Sequence, residues 1–275
     1  MTRAKLLHQN EGHERAENTT FIKRLRFKRD DEVALKSDCI NLAIQYVSVY
    51  QALECRLEQL CTESDSYLTV FTQEPWANRS RHLVNDVAEM KSFLSAEEQL
   101  CLINDNYLFP ATRNMIAGIQ QATHAELFSW LMVRCLGDAF GGQAIKGYTQ
   151  QVFGGNQLTA CFANGVSSQA SALCKVVNKT ELSEDEEKLF YTTAGTVFQL
   201  HVELFEEMEQ ERVLPEIKAK HIIAQSEQQE EIIQKRKPAH ATYSTGCKFF
   251  MFATLATSAA IAIGSTYCSV SGPQK

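Results

Sequence analysis

The apolar positions of this chain fall mostly at helical spacing. Cys39, Ala43, Tyr46, Tyr50, Leu53, Leu57 and Leu60 repeat at alternating three- and four-residue steps, which predicts one long helix with a continuous apolar stripe. A turn-rich gap from Cys61 to Trp76 follows, with Pro75 as a stop. Ser95-Ala96-Glu97-Glu98 reads as a capping box, and Pro110 opens a helix to about Gln121. An apolar helix then runs from Ala122 to about Val152 and ends at Gly154-Gly155-Asn156. Ser183-Glu184-Asp185-Glu186 is a second capping box that opens a long helix past Phe205, its acids complementing the helix dipole. Pro215 marks a break, and residues onward to Tyr243 read as a charged helix and linker. At the other end, Thr2 to Phe27 reads as a short helix and a turn, and the charge run from Arg24 to Glu32 as a solvated junction. No strand-type alternation of any length and no internal repeat is found. The predicted class is all-α: a helical domain over 1–212, a charged helix and linker over 213–247, and a membrane anchor over 248–271.

The anchor rests on Phe249 to Val270, which contains no charged residue and lies between Lys248 and Lys275. Its length suits a bilayer-spanning helix, although its many Ala, Ser and Thr residues leave a buried core helix as the alternative. Lys235-Arg236-Lys237 precedes it, so the main domain is expected to face the cytosol. With 275 residues and 44% hydrophobic content the chain can bury a full core. A net charge of −6 argues against nucleic acid as a partner. Nine cysteines without any C-x-x-C pair read as reduced thiols, with Cys39, Cys101 and Cys135 packed in helices. No apolar signal segment opens the chain.

Candidate chemistry sits where the helical pattern is broken. Leu136-Gly137-Asp138-Ala139-Phe140-Gly141-Gly142-Gln143 places three glycines in an apolar helix, each costing roughly 1 kcal/mol relative to alanine. Such a segment suits a kink, a backbone pressed on something flat and bulky, or a close helix crossing. Asp138 inside it needs water or a partner, and beside a ligand it could organise water and pass protons. Arg134, one turn earlier, is a candidate partner. Far upstream His13 lies on a short polar helix, with Glu17 one turn along the same face. The pair is either a surface i,i+4 contact or an iron-ligating imidazole whose tautomer the acid fixes.

His13-Glu14-Arg15-Ala16-Glu17-Asn18-Thr19-Thr20-Phe21 resembles the proximal helix of the haem oxygenases, and Leu136 to Gln143 resembles their distal helix signature. Tyr50-Gln51-Ala52-Leu53-Glu54, Leu204-Phe205-Glu206-Glu207 and the C-terminal anchor also resemble family segments, in the family's order over roughly residues 5 to 210. The resemblance implies a single haem-oxygenase-like helical domain with a C-terminal transmembrane helix, as in the eukaryotic enzymes. It implies a biliverdin-producing monooxygenase that uses O2 and electrons to cleave haem, both cofactor and substrate, to biliverdin, CO and ferrous iron. His13 would be the iron ligand. Gly137 and Gly141 would let the distal backbone lie close over the haem, and Asp138 with Arg134 would hold the distal water network. Glu17, Tyr50 and Phe198 count as cofactor contacts. Electrons would come from an NADPH-dependent reductase or ferredoxin-type donor, since no flavin or nicotinamide fingerprint is visible. The anchor implies an endoplasmic-reticulum location if the source is eukaryotic. The chain also departs from the family. Phe140 stands for the usual serine, Met132 for a tyrosine and His201 for an asparagine. Leu6, Asn10, Ala170 and Cys174 stand at or near the basic positions that grip the propionates, with Lys5, Lys175 and Lys179 nearby. These departures motivate an alternative, a non-catalytic haem-binding protein that senses, stores or delivers haem on the same scaffold.

Overall fold

The computed structural model describes residues 3–27, 32–61, 67–73, 76–99, 102–154 and 166–235. Among these residues there are ten α-helices, one 3-10 turn (Tyr67–Thr72) and no strand. The helices are α1 Arg3–His8, α2 Glu11–Glu17, α3 Thr20–Phe27, α4 Glu32–Leu60 and α5 Arg79–Ser92. Then come α6 Ala96–Gln99, α7 Pro110–Gln121, α8 His124–Phe153, α9 Val166–Lys179 and α10 Glu184–Lys235. The chain divides into two units, Met1–Ile223 and Ala224–Lys275, and the helical core belongs to the first.

The described residues fold as an all-helical domain, and α4 is its central element. Its predicted stripe is buried from Cys39 to Leu57, but Ile40, Leu42, Ile44 and Val49 are buried as well. More than one face is covered because α5, α7 and α8 all pack against this helix. Gln45, fully buried, pins the loop before α7: its Nε2 donates to the Tyr107 carbonyl at 2.9 Å and its Oε1 accepts from the Phe109 N–H at 3.1 Å. Helix α7 starts at Pro110 as the sequence predicts, and Glu207 of α10 accepts the Ala111 N–H at 3.1 Å. Helix α8 buries Leu127, Phe128, Trp130, Leu131, Met132 and Val133 within two turns, so its first half is covered on all sides.

Both predicted capping boxes form. The Ser95 N–H donates to Glu98 at 2.7 Å and the Glu98 N–H donates to Ser95 Oγ at 3.2 Å. Ser183 donates its N–H to Glu186 at 2.8 Å, and the Glu186 N–H donates back at 3.3 Å. The first box opens only the single-turn helix α6.

Four sequence expectations change. Residues before Phe27 form three short helices rather than one helix and a turn. Asn10 makes the extra start possible, its Oδ1 accepting the Gly12 N–H at 2.8 Å as the N-cap of α2. Arg24 is not part of a solvated junction. It is buried, donates to Asp38 at 3.1 and 3.0 Å and pairs with Glu209, which ties α3, α4 and α10 together. Pro215 does not end α10, which continues to Lys235; a proline removes one N–H donor without obliging a helix to stop. Helix α8 is likewise unbroken through its glycines. Among the described residues no helix is long and apolar enough to cross a membrane. The expected anchor, Cys101, Pro75 and residues 28–31 lie outside them.

Replacing Arg24 with leucine removes the guanidinium that donates twice to the buried Asp38 carboxylate. Urea unfolding should show a loss of about 3 kcal/mol, whereas removing Asp105, the exposed partner of Lys91, should change little.

Candidate functional site

A cavity of about 620 Å³ opens between the amino-terminal helices and α8, within the range that buries a small organic ligand. His13 and Glu17 of α2 line it, and so do Arg134, Gly137, Asp138 and Gly141 of α8 and Phe198 of α10. Most of the remaining wall is apolar. The imidazole upstream and the glycine segment mid-chain therefore face one space, although more than a hundred residues separate them.

Gly137 and Gly141 of α8 serve this space and not a helix crossing. A Cβ built on Gly137 or on Gly141 meets no heavy atom within 4 Å. Their missing side chains leave bare backbone along the cavity. Gly12 is the opposite case. A Cβ there would stand 2.8 Å from the Phe198 Cβ and 2.9 Å from Asn10 Oδ1, so only glycine lets α2 approach α10 this closely. That approach sets His13 edge-on to the Phe198 ring, with centroids 5.5 Å apart.

Asp138 is 4% exposed, and its carboxylate is held from three helices. Arg134, one turn back, donates to Oδ1 at 3.0 Å; Arg79 of α5 donates to Oδ2 at 2.8 Å; the Tyr50 hydroxyl of α4 also donates to Oδ2. Two guanidinium groups and one hydroxyl thus fix one buried carboxylate in place. Tyr50 is pushed well above its ordinary pKa, first by burial and then by the negative Asp138 beside it. Its hydroxyl reaches Asp138, and the residue is not among those lining the cavity; it supports the site from behind. Tyr46 does line the cavity, and the Arg134 guanidinium lies 4.0 Å from its ring centroid.

His201 extends the network. Its Nδ1–H donates to the Val197 carbonyl at 2.7 Å, so its Nε2 is left to accept from Arg134 at 3.0 Å. The imidazole is neutral, its pKa lowered to about 3 by burial and by the Arg134 charge. Arg79 gives no signal in the sequence. It sits outside every motif, and only the packing of α5 against α4 brings it to Asp138.

The model of the heme oxygenase family matches residues 4–207, three quarters of the chain. The chain belongs to the haem oxygenase family. A search of curated proteins finds no significant match. Among solved structures, haem oxygenase-1 from the cyanobacterium Synechocystis, in complex with haem, is 19% identical with a TM-score of 0.62, covering 82% of this chain and 99% of its own. The haem oxygenase of Leptospira interrogans is 18% identical with a TM-score of 0.59, covering 75% and 100%. Synechocystis haem oxygenase-2, in complex with haem and NO, is 19% identical with a TM-score of 0.59, covering 77% and 87%. At these identities the likeness is one of fold.

The departures from the family fall in different places. Met132 is fully buried in the core and does not line the cavity. Phe140 lines it and is 63% exposed, so it stands at the mouth rather than drying the interior. Cys174 also lines it, with the thiol pKa raised by burial. Lys5, Lys175 and Lys179 are exposed and are not among the lining residues. Cys39 and Cys135 are buried thiols with pKa values pushed up to about 12, mainly by burial, and are chemically inert.

A methyl group at Gly137 or Gly141 meets only open space. Alanine at either position should stabilise the free protein by up to about 1 kcal/mol in thermal unfolding, yet weaken hemin binding measured by titration. A helix-crossing role would give the reverse sign for stability. His201 yields a pH prediction. The unfolded chain takes up a proton near 6.5 while the native imidazole does not until about 3, so stability declines as pH falls through that window. His201→Asn should remove this slope, with the stability gap between variant and wild type moving in the variant's favour from about pH 7.5 to about pH 5.

Proposed function

We propose that this protein is a biliverdin-producing haem oxygenase, with haem as substrate and O2 and electrons as co-reactants. The observation that carries this reading is the cavity between His13 and the side-chain-free backbone of Gly137 and Gly141, with Asp138 locked beside it. These residues fit a haem. A neutral imidazole is a common iron ligand, bare helix backbone gives a planar molecule room, and the apolar walls exclude water. Bound haem would supply the iron that activates oxygen and would itself be the molecule opened.

The chain's own residues take these roles. His13 ligates the iron, and Glu17 lies one turn on to orient its ring. Asp138 accepts hydrogen bonds from water on the cavity side, holding a proton source in place. Arg134 fixes the carboxylate and is itself fixed by Tyr46 and His201. Phe198 packs against the ligand imidazole, and Tyr50 and Arg79 keep Asp138 from turning away.

Electrons are assigned to an external NADPH-dependent reductase or ferredoxin-type donor. Residues 248–271 are assigned as a tail anchor of the eukaryotic type, with the helical domain facing the cytosol and the endoplasmic reticulum as the membrane in a eukaryotic source. Support for the anchor is the uncharged run Phe249 to Val270, about 33 Å long as a helix, behind a basic cluster. A second reading, a non-catalytic haem carrier, draws on one observation: Tyr50, Arg79 and Arg134 all engage Asp138 at once, which leaves less of the carboxylate for water.

Aerobic turnover separates the two. Hemin-loaded protein given a reductase should lose its Soret band and gain biliverdin absorbance; a band that persists would establish the carrier. Asp138→Asn is the variant of choice, because asparagine keeps the side-chain shape and a hydrogen-bond acceptor where alanine would leave neither. The asparagine variant should bind hemin normally and form biliverdin about 10²-fold more slowly; undiminished output would remove Asp138 from the mechanism.

A further inference from the structure

A second imidazole stands beside His13. His8 closes α1 and lines the same cavity, and the two ring centroids are 4.9 Å apart at an interplanar angle of 68°. The rings belong to different short helices, joined only by Gln9 and Asn10. Helix α1 is tethered at its far end, where Arg3 donates to the Val177 carbonyl at 3.0 Å and to the Thr180 carbonyl and pairs with Glu187. His8 occupies the opposite, exposed end.

Its position narrows what it can do. The carboxylates of a porphyrin lie at its periphery, whereas His8 stands beside His13, the residue that would hold the iron. The third histidine of the cavity does not compete. His201 has one nitrogen committed to the Val197 carbonyl and the other to Arg134. Among the described residues His8 makes only the edge contact with His13.

We propose that His8 is a second iron-ligating imidazole of this cavity, able to take the place of His13. The inference rests on the protein binding haem at His13. Exchange breaks one iron–nitrogen bond and forms another. Both rings take part as neutral imidazoles, the iron keeps its oxidation state, and no proton changes hands.

The test uses the full chain loaded with hemin, reduced and treated with NO, and reads the nitrogen hyperfine splitting of an imidazole trans to NO by electron paramagnetic resonance. Wild type and His8→Ala should both show the splitting. His13→Ala should keep it through His8, and the double variant should lose it and regain it on adding free imidazole, which shows the cavity intact. Loss of the splitting in His13→Ala, with hemin still bound, overturns the role of His8 and leaves the haem reading standing. A wild type that takes up no hemin overturns both.

Discussion

One buried carboxylate organises this molecule. Asp138 is the point at which α4, α5 and α8 converge, each supplying a donor to the same two oxygens, while α10 joins through His201 and Arg134. Burying a carboxylate is costly, and leaving any of these donors buried without it would cost as much again. The helices therefore cannot slide independently. A shift of α5 breaks the Arg79 contact, and a rotation of α8 withdraws Arg134 and Asp138 together. Precision at the site and register in the bundle are the same constraint.

The cavity is the complement of that cluster. On one side the Asp138 carboxylate is fixed by Arg134, Arg79 and Tyr50. On the other the glycines withhold side chains, and the lining is largely apolar. A flat ligand would meet a largely apolar surface, with the Asp138 carboxylate at its margin and Glu17 on the α2 wall. The arrangement fixes one polar cluster on the α8 side of the slot, which suits steering a proton to one side of a bound molecule.

Much of this is legible in the sequence, for local reasons. Helix starts at Pro110 and Ser183 are readable because caps are chemistry confined to four residues. The α4 stripe and the glycine segment are readable by period and composition. Helix α5 is not, because its buried face is Arg79, Leu83, Asp86 and Met90, half of it charged. Helix α9 has an apolar face at Ala170, Leu173 and Val177, which the spacing supports although no helix is predicted there. Arg24 is misplaced because a charge run looks solvated until tertiary partners are known, and Asp38 and Glu209 come from two other helices. Tyr50 follows the same rule: its segment stands out, but whether it touches the cavity or its support is a question of direction. Arg79 and His8 become visible only through packing.

Helix α2 carries a further consequence. It has seven residues, none of them fully buried, and it is held by its Asn10 cap and by the contact of Gly12 with Phe198. So short a helix is marginal by itself in water. Its inner face is completed only by whatever fills the space beside it. Occupancy and the ordering of this segment are then linked equilibria: an occupant that gains from a well-formed α2 protects its amides from hydrogen exchange, and departure returns the segment to fraying. The amino-terminal wall serves as a latch whose tightness is set by its contents.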